Sequence, residues 1–401
     1  MKTAVDAMPL ALRTGGHIKA YIRNLVRAFG NPEPPVRGEI FLYLPPFLAN
    51  GIREPPVHLP GGILRGSPRL WERFKLADAA YADQADVLFC PGATIPSWNL
   101  VPVAVSVPDA SAFSPLPDGA PPWQRAQAKR LPFALARATR IFVPSEAIKK
   151  AVLEWNAGLP VAMERNRGGA ARFLDRFRTP DTGTHRIPHL EARMTTIPWT
   201  AENAFRKLAP KSELKTFIDA YVGGEYVLAP CLEGYDPNLP LMLRAWFASV
   251  AKLRLKHRFV ALVETVDRRF DRFMRFAGSL GVAERVKIAA TDSLEATVRF
   301  HQAASLVLLP EDKPGCGLSL SRALACQSPI VSGGQAACLP DNPEEGLVRV
   351  SDLAVKTWHE AISSLLAKSG RRSPLADTPT WDDHAACIIS TLANDLQKGD
   401  F

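Results

Sequence analysis

The sequence predicts two α/β domains in tandem, each a doubly wound, mainly parallel sheet with helices on both faces. Three observations carry this. Short β-rich apolar runs alternate with longer stretches of helical periodicity, the pattern of strand–helix–strand units. The alternation breaks down over 161–196 and restarts after residue 210. The length, 401 residues, exceeds what one ordinary core organises, whereas two domains of roughly 200 residues are comfortable.

In the first half, KTAVDA (2–7) reads as the opening strand. HIKAYIRNLVRAF (17–29) reads as an amphipathic helix with Ile18, Tyr21, Ile22, Leu25, Val26 and Phe29 on one face. EIFLYL (39–44), ADVLFC (85–90), VPVAVSV (101–107) and RIFVPS (140–145) are the next strands. Two helices are expected around 122–138, and another at 145–155. In the second half the strands are EYVLAP (225–230), RFVALVE (258–264), RVKIAA (285–290), SLVLLP (305–310) and SPIVSG (328–333). LPLMLRAWFASVAKL, RRFDRFMRFAGSLGV and LEATVRFHQA are the helices among them. The joint is placed at 197–215. The Arg-rich stretch 161–196 reads as a solvated insertion or as a surface for an anionic acceptor, a lipid headgroup or a partner. Pro-rich pieces at 31–35, 44–60 and 114–122 read as long loops.

Composition limits the function classes. A 47% hydrophobic, 22% charged chain is globular. No run reaches the ~18 apolar residues of a membrane span, and the N-terminus lacks the pattern of a cleaved leader. Cys90, Cys231, Cys316, Cys326, Cys338 and Cys387 form no CxxC pair and read as small buried residues in a reducing cytosol, so no metal site is expected. The net charge of +9 suits a phosphorylated substrate, an anionic membrane surface or nucleic acid. No zinc-finger, RNP or helix-turn-helix signature is present, so no nucleic-acid partner is expected.

Two places have the chemistry to hold phosphate. Backbone N–H groups at a helix N-terminus bind anions, and glycines let that backbone approach closely. RTGGHIKAY, with Gly15 and Gly16, follows the first strand. KPGCGLSLSRAL, with Gly315 and Gly317, follows strand 305–310 and leads into a helix. Either loop taken singly is also what a tight strand-to-helix turn without a ligand looks like.

The residues resemble a known family, the retaining glycosyltransferases of family four, which have the GT-B fold. MKTAVDAMPLALRTGGHIKAYIRNLVRAF is similar to that family's opening strand, glycine loop and first helix. RLPFALARATRIFVPSEAIKKAVLEW resembles its basic helix, strand and following helix start. TTIPWTAENAF resembles the segment before its interdomain joint, and EYVLAPCLEGYDPNLPLMLRAWFAS the first strand and helix of its donor domain. LGVAERVKIAATDSLEATVRFHQAASLVLLPEDKPGCGLSLSRALACQSPIVSG is the strongest likeness. TWDDHAACIISTL resembles its final helix, which crosses back to the first domain, with Trp381 packing that helix down.

The resemblance implies two Rossmann-like domains facing across a cleft. Residues 1–207 are the acceptor-side domain, 208–375 the donor domain, and 376–401 the returning helix. It implies transfer of a sugar from a nucleotide diphosphate sugar to a glycan or lipid-linked acceptor, as in bacterial polysaccharide or glycoconjugate synthesis. No metal cofactor is needed, because helix dipoles and basic side chains stabilise the leaving diphosphate. The location would be cytoplasmic, peripheral at the inner membrane, with oligomeric state open.

The departures from the family pattern fall at functional positions. Pro314 and Arg322 stand where the family has paired glutamates, Asp236 and Pro237 where it has a basic pair, and Pro108-Asp109 where many relatives have His-Asp. The family's opening loop spaces two glycines around one residue just before an Arg-Tyr; here Gly15-Gly16 sit earlier, and His17 and Lys19 occupy the matching slots. Asp109, Glu311 and Arg322 are therefore the catalytic candidates. Lys313, Gly315, Cys316, Gly317 and Leu318 are the diphosphate candidates, with Asp312 at the mouth of the same loop. Gly15, Gly16, His17 and Glu146 are the acceptor or phosphate side. Arg322 reads either as a bidentate phosphate ligand or as a surface arginine. His17 reads as an exposed polar residue at a helix start, and Glu146 as a charge complementing a helix dipole. The alternative function is a catalytically silent subunit of the same fold that binds or assembles without turnover.

Overall fold

The computed structural model describes residues 1–7, 16–29, 39–43, 75–92, 95–110, 113, 122–160, 185–231, 235–310, 315–333, 346–368 and 379–398. The chain forms two compact units. One comprises Met1–Pro198, Pro314–Cys316 and Trp381–Phe401, the other Trp199–Lys313 with Gly317–Thr380.

The first unit is built on β1 (Lys2–Asp6), α1 (Gly16–Phe29), β2 (Glu39–Tyr43), α2 (Leu76–Ala82), β3 (Val87–Cys90), β4 (Val103–Ser106), α3 (Pro122–Arg137), β5 (Arg140–Val143), α4 (Glu146–Ala157) and β6 (Met194–Thr196). Its six strands lie in the order β2-β1-β3-β4-β5-β6, every pairing parallel. A parallel sheet is covered on both faces, so its strands carry unbroken apolar runs. All four residues of β3, VLFC, are buried. In α1 the predicted face is buried at Ile18, Tyr21, Ile22, Leu25 and Val26.

Two helices were expected around 122–138, and one is found. Pro132 lies inside α3, where its missing N–H removes one backbone bond without ending the helix. Cys387 is exposed and Cys316 half-buried, contrary to the expectation that the cysteines are all interior. Cys338 lies outside the described residues.

The C-terminal helix, which is α12 (Trp381–Lys398), belongs to this first unit. It packs along α1: Trp381 and His384 meet the ring of Tyr21 at 5.8 and 5.6 Å. Trp381 is 6% exposed, in keeping with its expected packing role. The far end of α12 is clamped to β5, where Arg140 Nε and Nη2 donate to the Asp395 carboxylate at 2.6 and 2.5 Å. The fork-to-carboxylate geometry is the strong form of an ion pair.

The second unit opens with α5 (Asn203–Arg206) and α6 (Lys211–Tyr221). There follow β7 (Tyr226–Cys231), α7 (Leu239–Lys252), β8 (Arg258–Val263), α8 (Arg268–Ser279), β9 (Val286–Ala290), α9 (Leu294–Ala303), β10 (Leu306–Leu309), α10 (Leu318–Ala325), β11 (Ile330–Gly333), β12 (Leu347–Val350) and α11 (Val355–Ala367). The strand order is β12-β11-β10-β7-β8-β9, again all parallel. Side chains of β7 alternate between two cores. Val227, Ala229 and Cys231 pack with the α7, α8 and α11 side, around the fully buried Trp246 and Trp358. Tyr226 and Leu228 pack with the α6, α9 and α10 side. No helix among the described residues is long and apolar enough to cross a membrane.

Two outcomes follow. Replacing Asp395 with Ala leaves the Arg140 guanidinium largely buried and unpaired, and should destabilise the chain by about 3 kcal/mol or more. Urea unfolding of Asp395→Ala and of an Arg140→Met/Asp395→Leu pair checks this, with the double variant recovering most of the loss. Separately, burial pushes His301 and His384 down to about 4 from the ordinary 6.5. The unfolded chain takes up these protons near its ordinary value, the folded chain only near 4. Stability from both groups is thus complete above pH 6.5 and is lost as pH falls toward 4. Urea midpoints measured across that window should decline, and less steeply in His384→Phe.

Candidate functional site

In the second sheet the connections run from β7 outward through β8 and β9 on one side, and through β10, β11 and β12 on the other. The carboxyl ends of β7 and β10 therefore flank a crevice at the topological switch point, where ligands of such sheets bind. Two helices begin there, α7 after β7 and α10 after β10. Neither N-cap residue, Asn238 or Gly317, makes a side-chain cap. In α7 Pro240 has no N–H, and the Leu239 N–H donates to the Asp236 carbonyl at 3.1 Å. The first-turn N–H groups of α10 are left to backbone, solvent or an anion.

Gly317 is in the left-handed region, φ 71°, ψ 8°. Glycine takes that conformation without strain, whereas a Cβ would cost about 1 kcal/mol or more. The turn delivers the chain directly into Leu318, the first residue of α10. Across the switch point, Asn238 Nδ2 donates to the Pro310 carbonyl at 3.2 Å, tying the loop after β7 to the end of β10. Asp236 Oδ1 accepts from the Asn238 backbone N–H at 2.7 Å. Burial pushes the Cys231 thiol, at the end of β7, well up, so it stays protonated there. Gly315 and Cys316 are half-buried at the mouth of α10, and Gly317 and Leu318 are buried. Glu311, Asp312, Lys313 and Pro314 lie outside the described residues.

Arg322 is neither a surface residue nor open to a phosphate. It is 5% exposed, and its Nε donates to Glu202 Oε2 at 2.9 Å while Nη2 donates to Glu202 Oε1. Its guanidinium lies over the Phe205 ring, 5.1 Å from the centroid. Both expectations for Arg322 are corrected by one cause: a buried carboxylate supplied from the segment before α5. Ser321 Oγ donates to the Trp199 carbonyl at 3.2 Å, so two successive residues of α10 grip that segment. Thr200 Oγ1 and Arg206 Nη2 both donate to the Pro379 carbonyl at 2.6 Å. Glu202 was not singled out from sequence, since its partner is far along the chain.

In the first unit the strand order reverses at β1 and β3. His17, one residue into α1, is 4% exposed rather than surface-placed. Its Nε2 lies 3.6 Å from Asp109 Oδ2, in the loop after β4. Burial lowers the His17 pKa and the Asp109 charge opposes that shift. Two residues assigned to different roles are thus neighbours. Asp6, at the carboxyl end of β1, is 1% exposed. A strand-terminal acid in KTAVD was the available signal for it, and sequence reading passed over it. Gly16 starts α1, while Gly15 lies outside the described residues.

Glu146 is exposed at the N-terminus of α4, where Ser145 Oγ caps the Ile148 N–H at 3.2 Å. Thr196 Oγ1 donates to it at 2.5 Å and Lys149 lies 4.0 Å away. Helix capping and these contacts account for its position. Among the described residues no cluster of His, Cys, Asp or Glu stands ready for a metal ion.

No protein-family model matches the chain. The D-inositol 3-phosphate glycosyltransferase of Mycolicibacterium smegmatis is 32% identical over 119 residues, 29% of this chain and 26% of the relative. That of Mycobacterium sp. strain KMS is 35% identical over a stretch of the same length and coverage. The chain matches about a quarter of the length of these curated relatives. Likeness of fold extends much further. HepE of Anabaena, solved with UDP and glucose, superposes with a TM-score of 0.61 at 12% identity, covering 100% of this chain and 99% of that one. Sucrose-phosphate synthase of Thermosynechococcus elongatus gives 0.63 at 12% identity, covering 100% and 97%. The UDP-GlcNAc 2-epimerase of Methanocaldococcus jannaschii gives 0.51 at 13% identity, covering 98% and 100%. The fold of two Rossmann-like domains expected from the resemblance is the fold observed.

The ion pair makes a sharp expectation. Arg322→Ala strands Glu202 in the interior and should destabilise by about 3–5 kcal/mol, whereas Arg322→Met with Glu202→Leu should be far milder. Denaturant unfolding of the single and paired variants measures the difference.

Proposed function

We propose that the chain transfers a sugar from a nucleotide diphosphate sugar to a glycan or lipid-linked acceptor, with retention at the anomeric carbon. The observation that carries this reading is the β10–Gly317–α10 turn at the switch point of the second sheet. There the uncapped N-terminus of α10 presents backbone N–H groups where a diphosphate would lie. The GT-B fold and the curated glycosyltransferase relatives support it.

In this reading the diphosphate rests on Gly315–Leu318, with Lys313 two residues before Gly315 in sequence. A departing nucleoside diphosphate gathers negative charge, which preorganised N–H dipoles stabilise without reorganising. No metal is needed for that step. Glu311, at the start of the same loop, is the candidate sugar contact. Asp109 and His17 form the acceptor-side pair: Asp109 holds the imidazole, and a neutral imidazole can take a hydrogen bond from an acceptor hydroxyl. Arg322 acts as a positioning residue through Glu202 and does not itself touch the phosphate. A cytoplasmic location, peripheral at the inner membrane, suits the basic charge.

A specific observation favours a second reading. Asp236 stands where the resemblance implies a cation, and Arg322 is committed to Glu202. That is the pattern of a silent subunit that binds nucleotide without turnover.

Melting the protein against UDP-, GDP-, dTDP- and ADP-sugars, each beside its bare nucleotide, tests the proposal. A ligand at about 100 times its Kd adds ~2.7 kcal/mol of stability, readily seen as a Tm shift. One sugar nucleotide should raise Tm, and Gly317→Ala should weaken that shift while the variant still folds. Release of the nucleotide on adding acceptor establishes transfer. A shift without release assigns the silent role, and no shift with any donor removes both.

A further inference from the structure

Helix α12 reaches the end of β4 through one directed line of polar contacts. Its members, Pro198, His384, Tyr21 and Ser106, all belong to the first unit, and the last three are buried. His384 Nδ1 lies 2.9 Å from the Pro198 carbonyl, and Nε2 lies 3.4 Å from the Tyr21 hydroxyl. A carbonyl only accepts, so Nδ1 carries the proton. Burial keeps the ring neutral, with its pKa lowered to about 4. Nε2 is therefore an acceptor, and the Tyr21 hydroxyl donates to it. The Tyr21 oxygen is left to accept in turn. Burial raises the Tyr21 pKa and Ser106 opposes that rise, as a hydroxyl donating to the phenol oxygen does. This last contact is the loosest, since Ser106 Oγ completes no bond of ordinary geometry. A buried hydroxyl with no other recipient among the described residues stays committed to it.

The line ends beside the His17–Asp109 pair. His17 and Tyr21 lie one turn apart on α1. Ser106 is the last residue of β4, and Asp109 follows three residues later. Tyr21 thus faces Ser106 as His17 faces Asp109, whose Oδ2 is 3.6 Å from Nε2. Two rungs join one helix to one strand end. The sheet ladder stops just short of Asp109: the Val107 N–H donates to the Phe142 carbonyl at 2.8 Å, and Pro108 has no N–H to give. What sets the first rung apart from core packing is direction. Trp381 also packs on the Tyr21 ring, at 5.8 Å, and an apolar ring at 384 would pack as well. Neither would orient the hydroxyl.

We infer that His384 is a positioning residue for the His17–Asp109 pair, acting through Tyr21 and Ser106. Without the imidazole the Tyr21 hydroxyl turns, Ser106 loses its recipient, and the end of β4 carries Asp109 away from Nε2. The catalytic meaning rests on the transferase reading, in which the pair receives the acceptor hydroxyl. The linkage itself is read without turnover.

Histidine-selective NMR titration of the full chain tests it, with His17→Asn assigning the His17 signal. Asp109→Asn calibrates the readout: losing a carboxylate this close should weaken proton binding at His17 about tenfold. His384→Phe and Tyr21→Phe should each weaken it roughly threefold. The double variant should lose no more than either alone, because both cut the same line. Tyr21→Phe keeps the ring and removes only the hydroxyl, so the test stands if His384→Phe folds poorly. Trp381→Phe, on the same helix and against the same ring, should lower Tm and leave His17 unmoved. An unmoved His17 in both cutting variants overturns the inference. So does a rise in its proton affinity, which marks general wetting, or an equal response to Trp381→Phe. On the same variants the Tm shift with a sugar nucleotide should persist while the acceptor KM rises. A wild-type chain that shifts with no donor removes the transferase reading and the catalytic meaning with it, and the titration still decides the linkage.

Discussion

A parallel strand cannot be reached by a tight turn, and every other feature of this chain is arranged around that constraint. Each connection must leave one end of the sheet, cross its face and re-enter at the far end. In the second unit β7 is laid first, β8 and β9 build outward from it, and β10 returns to its other edge. The two departing loops at β7 and β10 diverge, and the helices that follow them start beside one crevice. Two helix N-termini converge there without any residue having been chosen for a ligand. What the sequence adds is local: a glycine at 317 that accepts the left-handed turn, and Asn238, whose amide bridges to Pro310. The first sheet repeats the logic at β1 and β3, with Asp6 at the carboxyl end of β1 and His17 just inside α1.

The Arg322–Glu202 pair shows how the interior limits what the crevice can use. Both side chains are nearly buried, at 6% and 7% exposure. An arginine in that setting cannot turn toward a phosphate, because doing so would leave a bare carboxylate in a medium of low dielectric. The surroundings reinforce the commitment. Phe205 covers the guanidinium, and His301, in edge contact with Phe205 at 5.4 Å, is kept neutral by its burial. The pair therefore fixes α10 against the segment before α5 and so fixes where the N-terminus of α10 stands. Its charge is spent internally, and the dipoles of the helix remain for the crevice.

What could be read from sequence follows from how local each signal is. β3, β7, β8 and β10 are unbroken apolar runs, and burial on both faces makes such runs unmistakable. β6 is only Met-Thr-Thr and pairs solely along β5, so no composition announces it. α2, Leu-Ala-Asp-Ala-Ala-Tyr-Ala, carries too few large apolar residues for a stripe to show. Two helices were expected around 122–138, but one continues past Pro132. The Gly-Cys-Gly turn was legible because its chemistry is contained in three residues. The fates of Arg322 and His17 were not, since each is decided by a carboxylate about a hundred residues away, which no local pattern reports.

The chain's positive charge and its candidate nucleotide crevice are separate things. The excess of 49 basic over 40 acidic residues invites the view that cations gather where a diphosphate binds. Among the described residues they do not: an aspartate, Asp236, stands after β7, while unpaired arginines line α8 on the sheet face away from α10. Backbone dipoles act over a single helical turn and are fixed in direction, so they select one anion in one pose. A stripe of mobile-tipped guanidinium groups acts over several ångströms and selects only for charge density.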